Sequence, residues 1–275
     1  MGIVISLLYT SVGSGNFTLR SRNTKLYDMP NGLSLHIGVN KYSISAYKAI
    51  GKYLRTLPNC DRDAEAKRAI AKRFGFNSAL LINDEATMTS VLTGIKAAAF
   101  YLDFGDIFFL SFSGHGSRVA DRNYDEDDGF DETWCLYDGM VVDDDIFEHL
   151  KLFRPGVRIL VIADSCHSGT SIKNTEDLPL RPGGQFPLNK TYDIQATCLL
   201  LAACQDKQYA LAGMGINNSL YTYWMLKVLE QYEFCESYRE LHNRISVNMP
   251  ESSKPNLFMF GPGADQFARS RPFRI

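Results

Sequence analysis

The chain has 275 residues, a formal net charge of −2, 45% hydrophobic residues and 22% charged residues. That balance describes an ordinary globular protein and excludes a disordered or fibrous chain; the near-zero charge argues against a broad nucleic-acid footprint. The length suits one large domain or two small ones and is enough to bury a substantial core.

The first 30 residues read as an N-terminal extension. Their apolar run is short and lacks a basic flank, so it does not read as a signal peptide or membrane span. Six cysteines, at positions 60, 135, 166, 198, 204 and 235, are scattered without CxxC spacing. Neither a zinc ribbon nor a disulfide framework is expected, and reduced thiols in a cytoplasmic protein are.

Residues 33–39, LSLHIGV, read as the first strand. Residues 61–74 then place Ala66, Ala69, Ile70 and Phe74 on one helical face, with Arg62, Lys67 and Arg73 elsewhere, and Gly75 ends the helix. A short strand follows at 78–82. Residues 87–103 carry threonines suited to an N-cap and an apolar face of Val91, Leu92, Ile95, Ala98, Ala99 and Leu102. The continuous apolar runs 106–113, 158–163 and 198–203 read as strands buried on both faces. Helices are expected at 219–232 and 238–247 and a last strand at 256–260, with 171–192 as the longest loop. Strands alternating with helices indicate an α/β fold with a mostly parallel sheet.

Two polar motifs stand at the ends of these central runs, SFSGHG (residues 111–116) and DSCHSG (residues 164–169). In open α/β sheets the carboxyl ends of the strands border the binding crevice, so both motifs should face one edge. His115 and Cys166 can approach each other there if their strands are neighbours. A thiolate then attacks a carbonyl, an imidazole moves the proton, and glycine-flanked N–H groups can serve an oxyanion. The stretch 121–145 holds eleven Asp or Glu against one Arg, which suits a hard divalent cation but equally a solvated acidic loop. Trp134 and Tyr137 suit core or hairpin packing. Gln205 and Asp206, after another core strand, could shape the same cleft.

The motifs SFSGHGS and DSCHSGT, with DEDDGFDETW and VVDDDIFEHL between them, resemble the metacaspases, in particular the compact prokaryotic (orthocaspase) type. The 51 positions between His115 and Cys166 fit the caspase-like separation. The resemblance runs from about residue 33 to the C-terminal RPFRI. It implies a caspase-like three-layer sandwich with a mostly parallel sheet flanked by helices. It also implies one peptidase domain over 31–275: a large-subunit-like part to about 172, a loop 173–192, and a small-subunit-like part 193–275.

The family implies His115 as general acid/base, Cys166 as nucleophile, and the N–H groups of Gly116 and Cys166 as the oxyanion hole. His167, adjacent to the nucleophile, takes an orienting role. Cys60, Asp63, Ser113 and Asp164 match the substrate-binding pattern for Arg or Lys at the scissile position, and carboxylates are the groups such a cation needs. The partners implied are protein or peptide substrates, with no nucleic acid or membrane, and the protein is expected to be a monomer. Calcium-activated relatives imply Asp131, Asp144 and Asp145 as ligands. Their fourth acid position is Lys173 here, whose ammonium would repel Ca²⁺, so no cofactor is required and calcium stays an open alternative. Self-cleavage is expected at Lys173 or Lys190 rather than Arg181, which precedes Pro182. Two further readings remain: a catalytically idle caspase-like module that binds peptides, and a calcium-responsive regulator.

Overall fold

The computed structural model describes residues 30–120, 130–166, 194–203, 217–231 and 235–275. Its main sheet has the order β2-β1-β3-β6-β7-β8. The strands are β1 (Gly32–Gly38), β2 (Asn77–Ile82), β3 (Ile107–Ala120), β6 (Arg158–Cys166), β7 (Thr197–Ala203) and β8 (Asn256–Phe260). All pairings in this path are parallel except β7 with β8. A ribbon of β4 (Phe130–Cys135) and β5 (Met140–Val142) branches from β3 in antiparallel fashion.

Strand pleating sorts the core into two layers, because successive side chains point to opposite faces. Leu35, Ile37, Leu110, Phe112, Val161 and Leu200 pack with one cluster, which takes in Val91 and Ile95 of α3 (Met88–Tyr101) and Ile146 and Leu150 of α4 (Asp143–Leu150). Phe109, Leu160, Ile162, Leu199 and Leu201 join the other. That second cluster includes Ile70 of α2 (Cys60–Arg73), Met225 of α5 (Leu220–Gln231), Leu241 of α6 (Tyr238–Ser246) and Phe267 of α7 (Ala264–Ala268). Each such side chain removed from water contributes about 1.5–3 kcal/mol, so both faces of the sheet must be covered. The result is a three-layer sandwich. A short α1 (Ile44–Ala49) follows β1.

Several elements depart from the sequence-based expectation. The buried face of α2 is Cys60, Asp63, Ala64, Lys67, Ile70 and Ala71, so Lys67 lies inside and Ala69 outside. Tertiary packing against β1, β2 and β3 selects that face, and a polar pocket beneath it receives the two charged side chains. β3 runs on through Ser113-Gly114-His115-Gly116 to Ala120 instead of ending at 113, since β4 supplies a new hydrogen-bonded partner from Gly116 onward. β6 likewise includes Cys166. The triple aspartate 143–145 forms the first turn of α4 rather than part of a loop, where carboxylates favour the helix dipole.

Two local expectations hold, the cap of α3 and the packing of Trp134. Thr87 caps α3, its hydroxyl accepting from the Ser90 N–H. Trp134 is buried on β4 and stacks on Phe112 at 4.6 Å. Cys60, Cys135, Cys198 and Cys235 are buried thiols outside any disulfide. No described helix is long and apolar enough to cross a membrane.

Candidate active site

His115 and Cys166 share one register position on the neighbouring parallel strands β3 and β6. It is the last described position of that ladder. From the next residue of β3, Gly116, an antiparallel ladder to β4 begins at Trp134. Both residues thus stand at the carboxyl ends of parallel strands, where an α/β sheet opens its binding crevice.

Two neighbours hold His115. Its Nε2 lies 2.9 Å from the carbonyl oxygen of Arg55. Because a carbonyl only accepts, Nε2 carries the proton in the neutral ring and Nδ1 is left as the basic nitrogen. Nδ1 is buried and has no hydrogen-bond partner among the described residues. The His115 backbone N–H donates to the Tyr42 hydroxyl at 3.0 Å, the Tyr42 ring lies 5.4 Å from the imidazole, and that hydroxyl donates to Val39 O at 3.0 Å. Burial lowers the His115 pKa below its ordinary value, and the Arg55 carbonyl partly opposes the shift. The ring is thus neutral near neutral pH and able to take a proton.

Of the four expected substrate-binding residues, Cys60 and Asp63 lie in the first turn of α2, and Ser113 and Asp164 lie on β3 and β6. Ser113 and Asp164 face each other in register, two residues before His115 and Cys166. Gly38 lets the start of α2 approach closely: a Cβ there would stand 2.5 Å from the Cys60 carbonyl oxygen. Asp63, one turn into α2, is fully buried; its Oδ1 accepts from Asn218 Nδ2 and the Ser219 N–H, both at 2.9 Å. Its Oδ2 is buried without a partner among the described residues. Desolvation, opposed by Lys67 and reinforced by the Asp164 charge, leaves the Asp63 carboxyl pushed up to about 7. Asp164 Oδ2 accepts from Lys67 Nζ at 3.2 Å, from Thr222 Oγ1 at 3.1 Å and from the Ser219 hydroxyl. Lys67 Nζ also donates to Ser113 Oγ at 2.8 Å.

Tyr42, the Arg55 carbonyl, Lys67, Asn218, Ser219 and Thr222 did not stand out in the sequence. Only Ser219 carried a signal, as the expected start of a helix; its hydroxyl accepts from the Thr222 N–H at 3.0 Å. His167, Lys173, Arg181, Lys190, Gln205 and Asp206 lie outside the described residues.

The proposed calcium ligands are placed apart in kind. Asp131 is buried on β4, Asp144 is half-buried and Asp145 is exposed in the first turn of α4. Among the described residues no group of three or more His, Cys, Asp or Glu is arranged to hold a metal ion. A calcium ion takes about six to eight oxygens, so these aspartates do not by themselves fit one.

Comparison with known proteins agrees with the geometry. The caspase-domain family profile matches residues 31–266. Metacaspase-1 of Arabidopsis thaliana is 36% identical over 140 residues, covering 45% of this chain and 36% of that protein. Metacaspase-1A of Neurospora crassa is 30% identical over 197 residues, 61% of this chain and 42% of that protein. Metacaspase-1B of Aspergillus fumigatus is 47% identical over 79 residues, 27% of this chain and 18% of that protein. The chain thus spans less than half the length of these relatives. A crystal structure of a Geobacter sulfurreducens protein superposes with a TM-score of 0.73 at 33% identity, covering 90% of this chain and 99% of that one. The chain belongs to the caspase-domain family, as a protein of the metacaspase type.

Proposed function

We propose that the protein is a cysteine endopeptidase that hydrolyses peptide bonds after Arg or Lys. The observation that carries this reading is the shared register of His115 and Cys166, with His115 Nδ1 left without a hydrogen-bond partner among the described residues.

In the proposed reaction the Cys166 thiol gives its proton to His115 Nδ1, and the thiolate attacks the scissile carbonyl carbon. Negative charge collects on the carbonyl oxygen, facing the N–H groups of Gly116 and Cys166. The imidazolium returns its proton to the leaving amine, and the C–N bond breaks to give an acyl-enzyme. A water then loses a proton to the same nitrogen, attacks the thioester and releases the acid and the thiol. Throughout, the bond from Nε2–H to Arg55 O keeps the ring oriented and steadies its charged form.

The buried carboxylates of Asp63 and Asp164 support a basic side chain at the scissile position, where a pocket for Asp would need arginines. Self-cleavage after Lys173 or Lys190 belongs to the same reading. The test is hydrolysis of Arg-, Lys- and Asp-ended fluorogenic peptides by wild type beside Cys166→Ala. The reading expects cleavage after Arg and Lys, abolished in the variant. Cleavage of none by the wild type would mark an idle caspase-like module, and equal cleavage after Asp would remove the specificity.

A further inference from the structure

Lys67 lies where a substrate cation would be expected. Its ammonium, fully buried, reaches from the middle of α2 between Ser113 Oγ and Asp164 Oδ2. With the Ser219 and Thr222 hydroxyls added, Asp164 Oδ2 already accepts from three donors. An oxygen has few lone-pair sites, so a fourth donor arriving with the substrate would have to displace one of these. Lys67 engages Asp164 in this way and bonds neither oxygen of Asp63, whose Oδ1 is taken by Asn218 and Ser219 and whose Oδ2 has no partner among the described residues. A buried carboxylate oxygen without a donor is costly and becomes favourable only when a donor arrives.

We propose that Lys67 is a built-in counter-cation that engages Asp164 and leaves Asp63 Oδ2 to receive the substrate's basic side chain, so that Lys67 sets how strongly this pocket selects a positive charge. The proposal rests on the reading of the chain as a peptidase with a basic-residue pocket. With both carboxylates ionised, the pocket carries two negative charges and one positive before substrate enters. A chain with a neutral residue at position 67 would hold two, and the attraction for guanidinium would rise. The internal ammonium therefore moderates affinity for Arg and Lys and keeps Asp164 compensated while the pocket is empty. An unpaired buried charge would otherwise weaken the fold.

The test uses peptides ending in Arg or in citrulline, its neutral isostere, with the wild type, Lys67→Gln, Lys67→Met and Asp63→Asn. Lys67→Gln keeps an amide donor towards Ser113 and Asp164 and so guards against misfolding. KM for the Arg peptide, and its ratio to KM for the citrulline peptide, is expected to fall about tenfold in both Lys67 variants at mildly alkaline pH. Asp63→Asn is expected to lose the preference for Arg over citrulline. An unchanged or raised KM for Arg in folded Lys67 variants, or full Arg preference in Asp63→Asn, would overturn the proposal. Calorimetric binding of agmatine to the same proteins, independent of turnover, is expected to rank them in the same order. No hydrolysis with that ranking intact would count against the peptidase reading alone. Equal agmatine binding by wild type and Lys67→Gln would count against the role of Lys67.

Discussion

The Nε2 atom of His115 lies 2.9 Å from the carbonyl oxygen of Arg55, and this bond decides which ring nitrogen carries the proton in the neutral ring. The other nitrogen, Nδ1, is the one that takes the Cys166 proton in the proposed reaction. Burial lowers the ring's pKa, so the neutral, proton-accepting form persists to a lower pH than for a solvated histidine. The kcat/KM for a citrulline-ended peptide, which does not report on the pocket charge, should therefore fall on the acid side with its midpoint below about 6.5. A midpoint above that value would contradict a buried, neutral His115. His115→Ala should lower kcat by about a thousandfold or more, since it removes both proton transfers.

The Asp63 carboxyl sits in a different regime. Pushed up to about 7, it is protonated below that pH and ionised above it. The groups that act on it are Lys67 on its own helix, Asp164 from β6, and the Asn218 amide and Ser219 N–H at the start of α5. A cation binds the ionised form, so KM for an Arg peptide should fall as pH rises through about 7, while KM for the citrulline peptide stays flat. Asp63→Asn should remove the pH dependence of the Arg KM. Parallel pH curves for the two peptides would separate Asp63 from charge recognition.

Tyr42 is placed to hold the histidine backbone. Its hydroxyl accepts from the His115 N–H and donates to Val39 O. Tyr42→Phe keeps the ring packing and removes both bonds, at a cost to folding of about 1–2 kcal/mol measured by urea denaturation. The expected kinetic signature is a fall in kcat of about tenfold with KM unchanged, because a misplaced base affects the chemical step and not the pocket. A change confined to KM would place Tyr42 in substrate binding.

Gly38 couples the fold to the pocket. Any Cβ at this position would meet the Cys60 carbonyl oxygen at 2.5 Å and the Asp61 Cα at 2.9 Å, both backbone atoms that cannot swing aside. Gly38→Ala should push the start of α2 off β1, destabilise the domain by about 1–3 kcal/mol, and raise KM for Arg peptides by displacing Asp63. Wild-type stability and KM together would show that α2 is not seated as described.

The parts of this molecule readable from sequence were those governed by local pattern. Hydrophobic runs marked β1, β6 and β7, and Thr87 marked the start of α3, because a strand buried on both faces and a capped helix leave a signature in consecutive residues. The candidate pair of His115 and Cys166 was readable because two motifs of unusual composition end two such runs. Lys67 was not. A lysine among arginines in a helix reads as a solvent-facing cation, and only the placement of α2 over Ser113 and Asp164, set by residues far apart in the chain, shows that it is buried. The extension of β3 through Gly114 and Gly116 was hidden for a similar reason. Glycines beside a histidine look like a turn until β4, beginning at Phe130, supplies the ladder that keeps them extended.

The central claim is that Cys166 is a nucleophile activated by His115 in a site that accepts a basic side chain. The most direct measurement is mass-spectrometric mapping of the adduct formed by a peptidyl acyloxymethyl ketone ending in Arg, a reagent that alkylates an activated thiolate. Stoichiometric labelling of Cys166 is expected in the wild type, with its loss in His115→Ala and little labelling by the Asp-ended reagent. Labelling at another cysteine, or labelling of Cys166 that is equally fast without His115, would contradict the central claim.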